Sequence, residues 1–173
     1  MNTQKYPHEL SRGFNNVVVA IDETRVKKLF DKTSRASDMG SEAKKQRYAN
    51  AINGLVAKLI ETEHDAIIME RLRIIAYRDQ EIEKRVIWFE LFERQINELH
   101  IGGFVHRDIA RPEGFPGGKY DNIVFTKDGL RLIDCGISSL KEEVGEKSFA
   151  IYVETENEEI REFKKVFLET EFF

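Results

Sequence analysis

Gly102 to Gly136 run GGFVHRDIARPEGFPGGKYDNIVFTKDGLRLIDCG. Three features stand in order along these residues: His106-Arg107-Asp108, then Asn122 ahead of the apolar run Ile123-Val124-Phe125, then Asp134-Cys135-Gly136. Between the last two lie a turn at Thr126-Lys127-Asp128-Gly129 and a second run from Leu130 to Ile133. Two short runs joined by a Lys-Asp-Gly turn predict a β-hairpin. Asn122 then stands at its entrance and Asp134 at its exit, so both oxygen-bearing side chains fall at one end of the two strands, near enough to share an ion.

This ordered set resembles the catalytic and metal-binding segment of the protein-kinase-like phosphotransferases. Transfer of a γ-phosphoryl group needs hard oxygen ligands for magnesium and a carboxylate to orient the attacking hydroxyl. The resemblance implies that Asp108 is that carboxylate, that His106 braces its loop, and that Asn122 and Asp134 bind the metal. Isolated His, Asp and Asn residues in a Gly-rich loop are more often turn formers. The order of the whole set carries the likeness.

Working outward, 173 residues suffice for one domain or two small lobes around a cleft. With 41% hydrophobic and 34% charged residues the chain is expected to fold. The net charge is −4 and the 27 basic residues are scattered, which argues against nucleic-acid and membrane-surface partners. The single cysteine, Cys135, cannot form an intramolecular disulfide and reads as a small packing residue. There is no apolar signal segment and no run long enough to span a bilayer, so a soluble cytoplasmic protein is expected.

Residues 1 to 12 are polar and read as a lead-in or a short edge element. Val17 to Ile21, a turn at Asp22-Glu23-Thr24, and Arg25 to Phe30 predict a second hairpin. It resembles the kinase strands that end in a phosphate-binding lysine. Side chains alternate along a strand, so either Lys27 or Lys28 enters the cleft; if Val26 faces inward, so does Lys28, and Lys28 is favoured. A full glycine-rich phosphate loop is absent. Gly13 is the lone glycine in its place, so fewer left-handed positions are available for backbone amides to approach phosphates.

Residues 31 to 40 read as a polar loop, with Ser41 capping a helix from Glu42. By resemblance Glu42 pairs with the strand lysine, although an acidic residue in a first turn also suits the helix dipole. Leu55 to Ile60 and Ala66 to Glu70 read as a further hairpin, after which the likeness makes Met69 the gatekeeper and Glu70 to Leu72 the adenine-binding hinge. A helix is predicted from Asp79 to His100, stopped by Gly102-Gly103.

One departure from the family stands out. Kinases place the metal asparagine five positions after the base, whereas Asp108 and Asn122 differ by 14. The additional residues, within Ala110 to Asp121, are rich in Gly and Pro and read as a turn-rich excursion beside the base. Ala110 stands where serine/threonine kinases carry a lysine, leaving Arg111 or Lys119 as candidate cations or as solvated loop residues. After Gly136 only 37 residues follow, with a helix predicted from about Glu158 to Glu169. That compact ending is similar to the RIO-type atypical kinases and the small KEOPS-complex kinase. Phe167, Leu168, Phe172 and Phe173 are expected to pack back or to mark a partner surface.

The expected architecture is therefore α+β, a two-lobed protein-kinase-like fold with a small β-rich N-lobe over about 1–72 and a truncated, mainly helical C-lobe over about 73–173. The likeness implies a minimal, atypical serine/threonine protein kinase using ATP and Mg2+, with a protein partner as a possible completion of the short C-lobe. Its rivals are a small-molecule kinase of the aminoglycoside or lipopolysaccharide type and a non-catalytic kinase-like binding protein.

Overall fold

The computed structural model describes residues 5–12, 16–31, 36–112 and 118–169. Its first half is a five-stranded antiparallel sheet made of β1 (His8–Arg12), β2 (Asn16–Ala20), β3 (Arg25–Phe30), β4 (Leu59–Thr62) and β5 (Ala66–Glu70). Spatial order is β1-β2-β3-β5-β4, so β3 lies at the centre with β2 and β5 on either side. The turn before β3 is tied by Asp22, whose Oδ1 accepts the Thr24 and Arg25 backbone N–H groups at 2.7 Å. These bonds hold its carboxyl well below the usual carboxylate range. Strand β4 begins at Leu59, later than the expected Leu55, because residues 55–57 bond elsewhere.

Helix α1 spans Ala36–Ile52, beginning well before the expected Glu42, and Ser41 lies inside it, not at its cap. Asp38 is the acidic residue of the true first turn, where it complements the dipole. Gly40 and Ser41 imitate a break, but the helix passes through them and Met39 packs against the sheet-side core of Val26, Ala43, Ala57, Ile67 and Met69. Long-range packing of Met39 and Ala43 against the sheet overrides local propensity here.

Helix α2 (Ile82–Ile101) turns Trp88, Phe89, Phe92, Ile96 and Leu99 inward at three- and four-residue spacing. Gly103 ends it at φ 88°, a left-handed value suited to glycine. The chain then forms β6 (Phe104–Val105), which pairs with β9 (Ser139–Leu140). Between them the expected hairpin is present as β7 (Ile123–Thr126) and β8 (Gly129–Leu132), with Ile123 opposite Leu132. Gly129 closes its turn at φ 117°, and a Cβ there would lie 3.3 Å from Trp88, so both conformation and space call for glycine. The hairpin is stitched to residues 55–57 by Ala57 N–H to Leu132 O at 2.8 Å and Leu132 N–H to Leu55 O at 2.9 Å.

After the short α3 (Lys141–Val144), α4 spans Glu146–Leu168, 23 residues and about 34 Å. The expected helix from Glu158 was too short by three turns. Residues Ser148 to Val153 are rich in aromatic and β-branched side chains, yet they continue the same inward face: Phe149, Glu156, Ile160, Phe163 and Phe167. Phe163 and Phe167 stack at 5.3 Å and meet Phe89 and Phe92 of α2. Buried Arg85 of α2 donates to the carbonyls of Phe167 and Glu169, satisfying the open end of α4.

Candidate functional site

Strand alternation puts Lys28, not Lys27, in the interior: Lys28 is 4% exposed, while Lys27 pairs with Glu63 at the surface. Lys28 Nζ lies 2.7 Å from Glu42 Oε1 of α1 and 3.0 Å from Asp134 Oδ1 just beyond β8. Burial works against the Lys28 charge, but Asp134 and Glu42 outweigh it and raise its pKa. Burial likewise pushes Asp134 up, and the Lys28 charge and hydrogen bond more than offset this, leaving the carboxyl below its ordinary value. A lysine fixed between two carboxylates is held charged and aimed.

The hairpin positions the remaining residues of the set. Asn122 is 3% exposed, and its Nδ2 donates to Asp108 Oδ2 at 2.7 Å and to the Asp108 carbonyl at 3.0 Å. Ile133 N–H bonds the Asn122 carbonyl at 3.1 Å, so the hairpin pairing carries Asn122 directly beside the residue before Asp134. His106, fully buried, donates from Nε2 to the Ile133 carbonyl at 3.0 Å and so holds the same segment from behind. Asp134 takes φ 64°, a left-handed value uncommon for a residue with a side chain.

Met69 is 8% exposed and packs with Val26, while Val18, Leu72 and Ile133 flank the same apolar group. The Glu70 carboxylate is engaged by Arg131 and by the Lys58 backbone N–H, leaving its side chain a structural part. Gly13 lies outside the described residues, as do Phe172 and Phe173. Cys135 is buried and its thiol is pushed up by that burial, in keeping with a packing role.

Three residues of weight were not legible in the sequence. Arg107 adopts φ 68°; its guanidinium bonds Ser139 Oγ at 2.9 Å and covers the Tyr152 ring at 4.0 Å. Its backbone N–H donates to Glu156 Oε2 at 2.6 Å, and Glu156 Oε1 meets His100 Nε2 at 2.9 Å. Glu159, one turn further along α4, accepts the Ala110 backbone N–H, and burial followed by the charge of Glu156 raises its pKa to about 7. The missed signal was an acidic residue seven positions from both Phe149 and Phe163, on the core face of a helix.

Among the described residues no group of three His, Cys, Asp or Glu side chains forms a dedicated metal cage. Asn122 and Asp134 instead offer one amide oxygen and one carboxylate at one end of a hairpin. That donor set fits Mg2+, which is commonly held by one or two protein oxygens together with substrate phosphates and water.

Sheet order, the helix-borne carboxylate on the central-strand lysine, and the loop and hairpin that follow define a protein-kinase-like fold. Solved structures share it. The chain is similar to the Rio2 kinase of Chaetomium thermophilum, solved as an ADP/Mg2+-phosphoaspartate complex, with TM-score 0.60, 14% identity and 95% of this chain covered. It is also similar to the Legionella pneumophila Lpg2603 kinase bound to IP6, with TM-score 0.64, 15% identity and 91% covered. The chain spans 58% of the length of each. No protein-family model matches the sequence, and no curated protein matches it significantly. Among the described residues no helix is long and apolar enough to cross a membrane.

Proposed function

We propose that this chain is a phosphotransferase that uses ATP and Mg2+ to phosphorylate a hydroxyl group, with a protein serine or threonine as acceptor. The observation that carries the proposal is Lys28 Nζ within 3.0 Å of both Glu42 and Asp134, together with an Asn122–Asp108 pair joined at 2.7 Å and tied through the Asn122 carbonyl to Ile133, the residue before Asp134. A buried ion pair of this kind is costly to assemble and weak evidence of stability alone, so an electrostatic task is the better account of it.

In this reading residues up to about 72 form the nucleotide-side lobe and 73–173 the reduced second lobe. Val18, Val26, Met69, Leu72 and Ile133 enclose the adenine, with the Glu70 to Leu72 backbone on its edge. Lys28 binds the α and β phosphates and Glu42 keeps it in place. Asn122 and Asp134 hold the metal, which when bound neutralises phosphate charge. Asp108 orients the acceptor hydroxyl and takes its proton, while Asn122 Nδ2 fixes the Asp108 carboxylate and His106 fixes the loop. Catalysis then rests on positioning and preset charge, as phosphoryl transfer allows.

Thermal unfolding with ATP and Mg2+, separately and together, tests this. At about a hundred times its dissociation constant the nucleotide adds about 2.7 kcal/mol to the native state. A magnesium-dependent shift is expected in the wild type and not in Asp134→Ala; no shift in either protein would refute the nucleotide site.

A further inference from the structure

Just beyond Asp134 the chain is fastened at both ends of one residue. The Gly136 N–H lies 3.2 Å from Asp134 Oδ1, the oxygen that Lys28 Nζ also reaches. The Gly136 carbonyl accepts from Lys45 Nζ of α1 at 3.2 Å. A Cβ on Gly136 would stand 3.2 Å from Asp134 Oδ1 and 3.6 Å from Glu42 Oε2, so this backbone runs close against both carboxylates that hold Lys28.

Lys45 follows Glu42 by three residues, and residues three apart on a helix are neighbours on its surface. Helix α1 thus reaches the Asp134 segment by two routes, Glu42 through Lys28 and Lys45 through Gly136. Lys45 is only partly buried, and its bond to a carbonyl is charge-assisted. The conformation it guards gives that bond weight. Asp134 sits at φ 64°, and a residue with a side chain keeps such a value only where its surroundings over-determine it. His106 holds Ile133, one residue earlier. Ser138 N–H closes a turn onto the Cys135 carbonyl at 3.2 Å, and Lys45 holds Gly136, two residues later. Of these three ties, the one from Lys45 comes from α1. Its neighbour Lys44 pairs instead with Glu143 at 2.6 Å and Glu142 at 3.3 Å on α3; these are exposed ion pairs, which contribute little.

We infer that Lys45 is a positioning residue for the Asp134 carboxylate and sets how tightly that carboxylate holds the magnesium of a bound nucleotide, an inference that rests on the nucleotide site proposed above. Lys45 touches neither nucleotide nor metal. It fixes the Gly136 carbonyl, which keeps the Gly136 N–H on Asp134 Oδ1 and the carboxylate in its left-handed backbone position beside Lys28.

Calorimetric titration with ADP, once in excess EDTA and once in saturating Mg2+, tests this. Lys45→Met keeps an unbranched stem and removes the donor. It is expected to lose about fivefold in affinity for Mg-ADP, less than the roughly 10–100-fold of a partner bonded straight to a metal ligand, because Lys45 acts through one residue. Its affinity for metal-free ADP should stay at the wild-type value, since Lys28 is untouched. Lys45→Arg should recover part of the loss, and Lys44→Met should bind Mg-ADP as the wild type does. Unchanged Mg-ADP affinity in Lys45→Met would overturn the inference. An equal loss without metal, or an equal loss in Lys44→Met, would overturn it too, because either marks a general loosening of α1. A wild type that binds ADP equally with and without Mg2+ would leave the nucleotide site standing and remove the inference alone. A wild type that binds ADP in neither condition would refute the nucleotide site and this inference with it, so the wild-type arms tell the two failures apart.

Discussion

Replacing Glu156 by alanine should loosen the loop that carries Asp108 more than any other single truncation on α4. Its carboxylate is 2% exposed and accepts from two donors, His100 Nε2 at 2.9 Å and Arg107 N–H at 2.6 Å. Alanine orphans both, and each buried or half-buried donor left without a partner costs about 1–3 kcal/mol. A loss of about 3 kcal/mol is therefore expected, or about 6–12 °C in Tm for a chain of this size. Arg107 is also held at φ 68°, a conformation that stores roughly 1–3 kcal/mol of strain for a non-glycine residue. Without Glu156 the loop can relieve that strain by leaving its place, which carries Asp108 with it. Glu156→Gln should cost less. Its amide oxygen can serve the fixed Arg107 N–H, and His100 can switch tautomer to accept from the NH2 group. Urea unfolding of wild type, Glu156→Gln and Glu156→Ala is the assay, read with turnover. If Glu156→Ala unfolds within about 0.5 kcal/mol of wild type, the range of an uninvolved surface change, the idea that α4 holds the loop is wrong.

Asp108→Ala should lower turnover by about 10² to 10⁴, the contribution of a positioned general base, while Mg-ADP still binds; equal turnover would remove Asp108 from the mechanism. Glu159 has a folded pKa near 7 against an ordinary 4.5, so the native state keeps a proton that the unfolded chain releases. Stability should therefore fall as pH rises from about 4.5 to about 7. Glu156, Asp108 and Lys119 are the charged groups acting on it. Glu159→Gln should lack this component, gaining on wild type through the window and holding a constant advantage above it; parallel stability curves would contradict the assignment. Gly40→Ala should stabilise the protein by about 0.5–1 kcal/mol in urea, since Gly40 sits inside α1 with nothing within 4 Å of a Cβ. A loss of stability there would mean that the helix does not run through residue 40.

What could be read from the sequence was local. The hairpins, α2 and its glycine stop follow from turn residues and period, signals confined to a few neighbours. The same local rules misplaced the start of α1, where Gly40 and Ser41 mimic a cap, and cut α4 short, where Ser148 to Val153 mimic a strand. In both places long-range packing decided: Met39 against the sheet-side core, Phe149 against the interior.

The candidate site shows the limit more sharply. Lys28 and Asp134 are 106 residues apart, and Arg107 and Glu156 are 49 apart, so no spacing rule could pair them. The likeness to a known family paired Lys28 with Glu42 and Asp134 with Asn122, but it did not name the contact between Lys28 and Asp134. It supplied nothing for Glu156 or Glu159. The signal for both was nonetheless present as a contradiction: a carboxylate on the inward side of a helix otherwise lined with Phe and Ile. A buried charge has to be met by a partner. On α4 the partners are the backbone of the loop that carries Asp108 and the last turn of the helix that precedes it, so the residue that spoiled the helical pattern is the one that ties the helix to the candidate site.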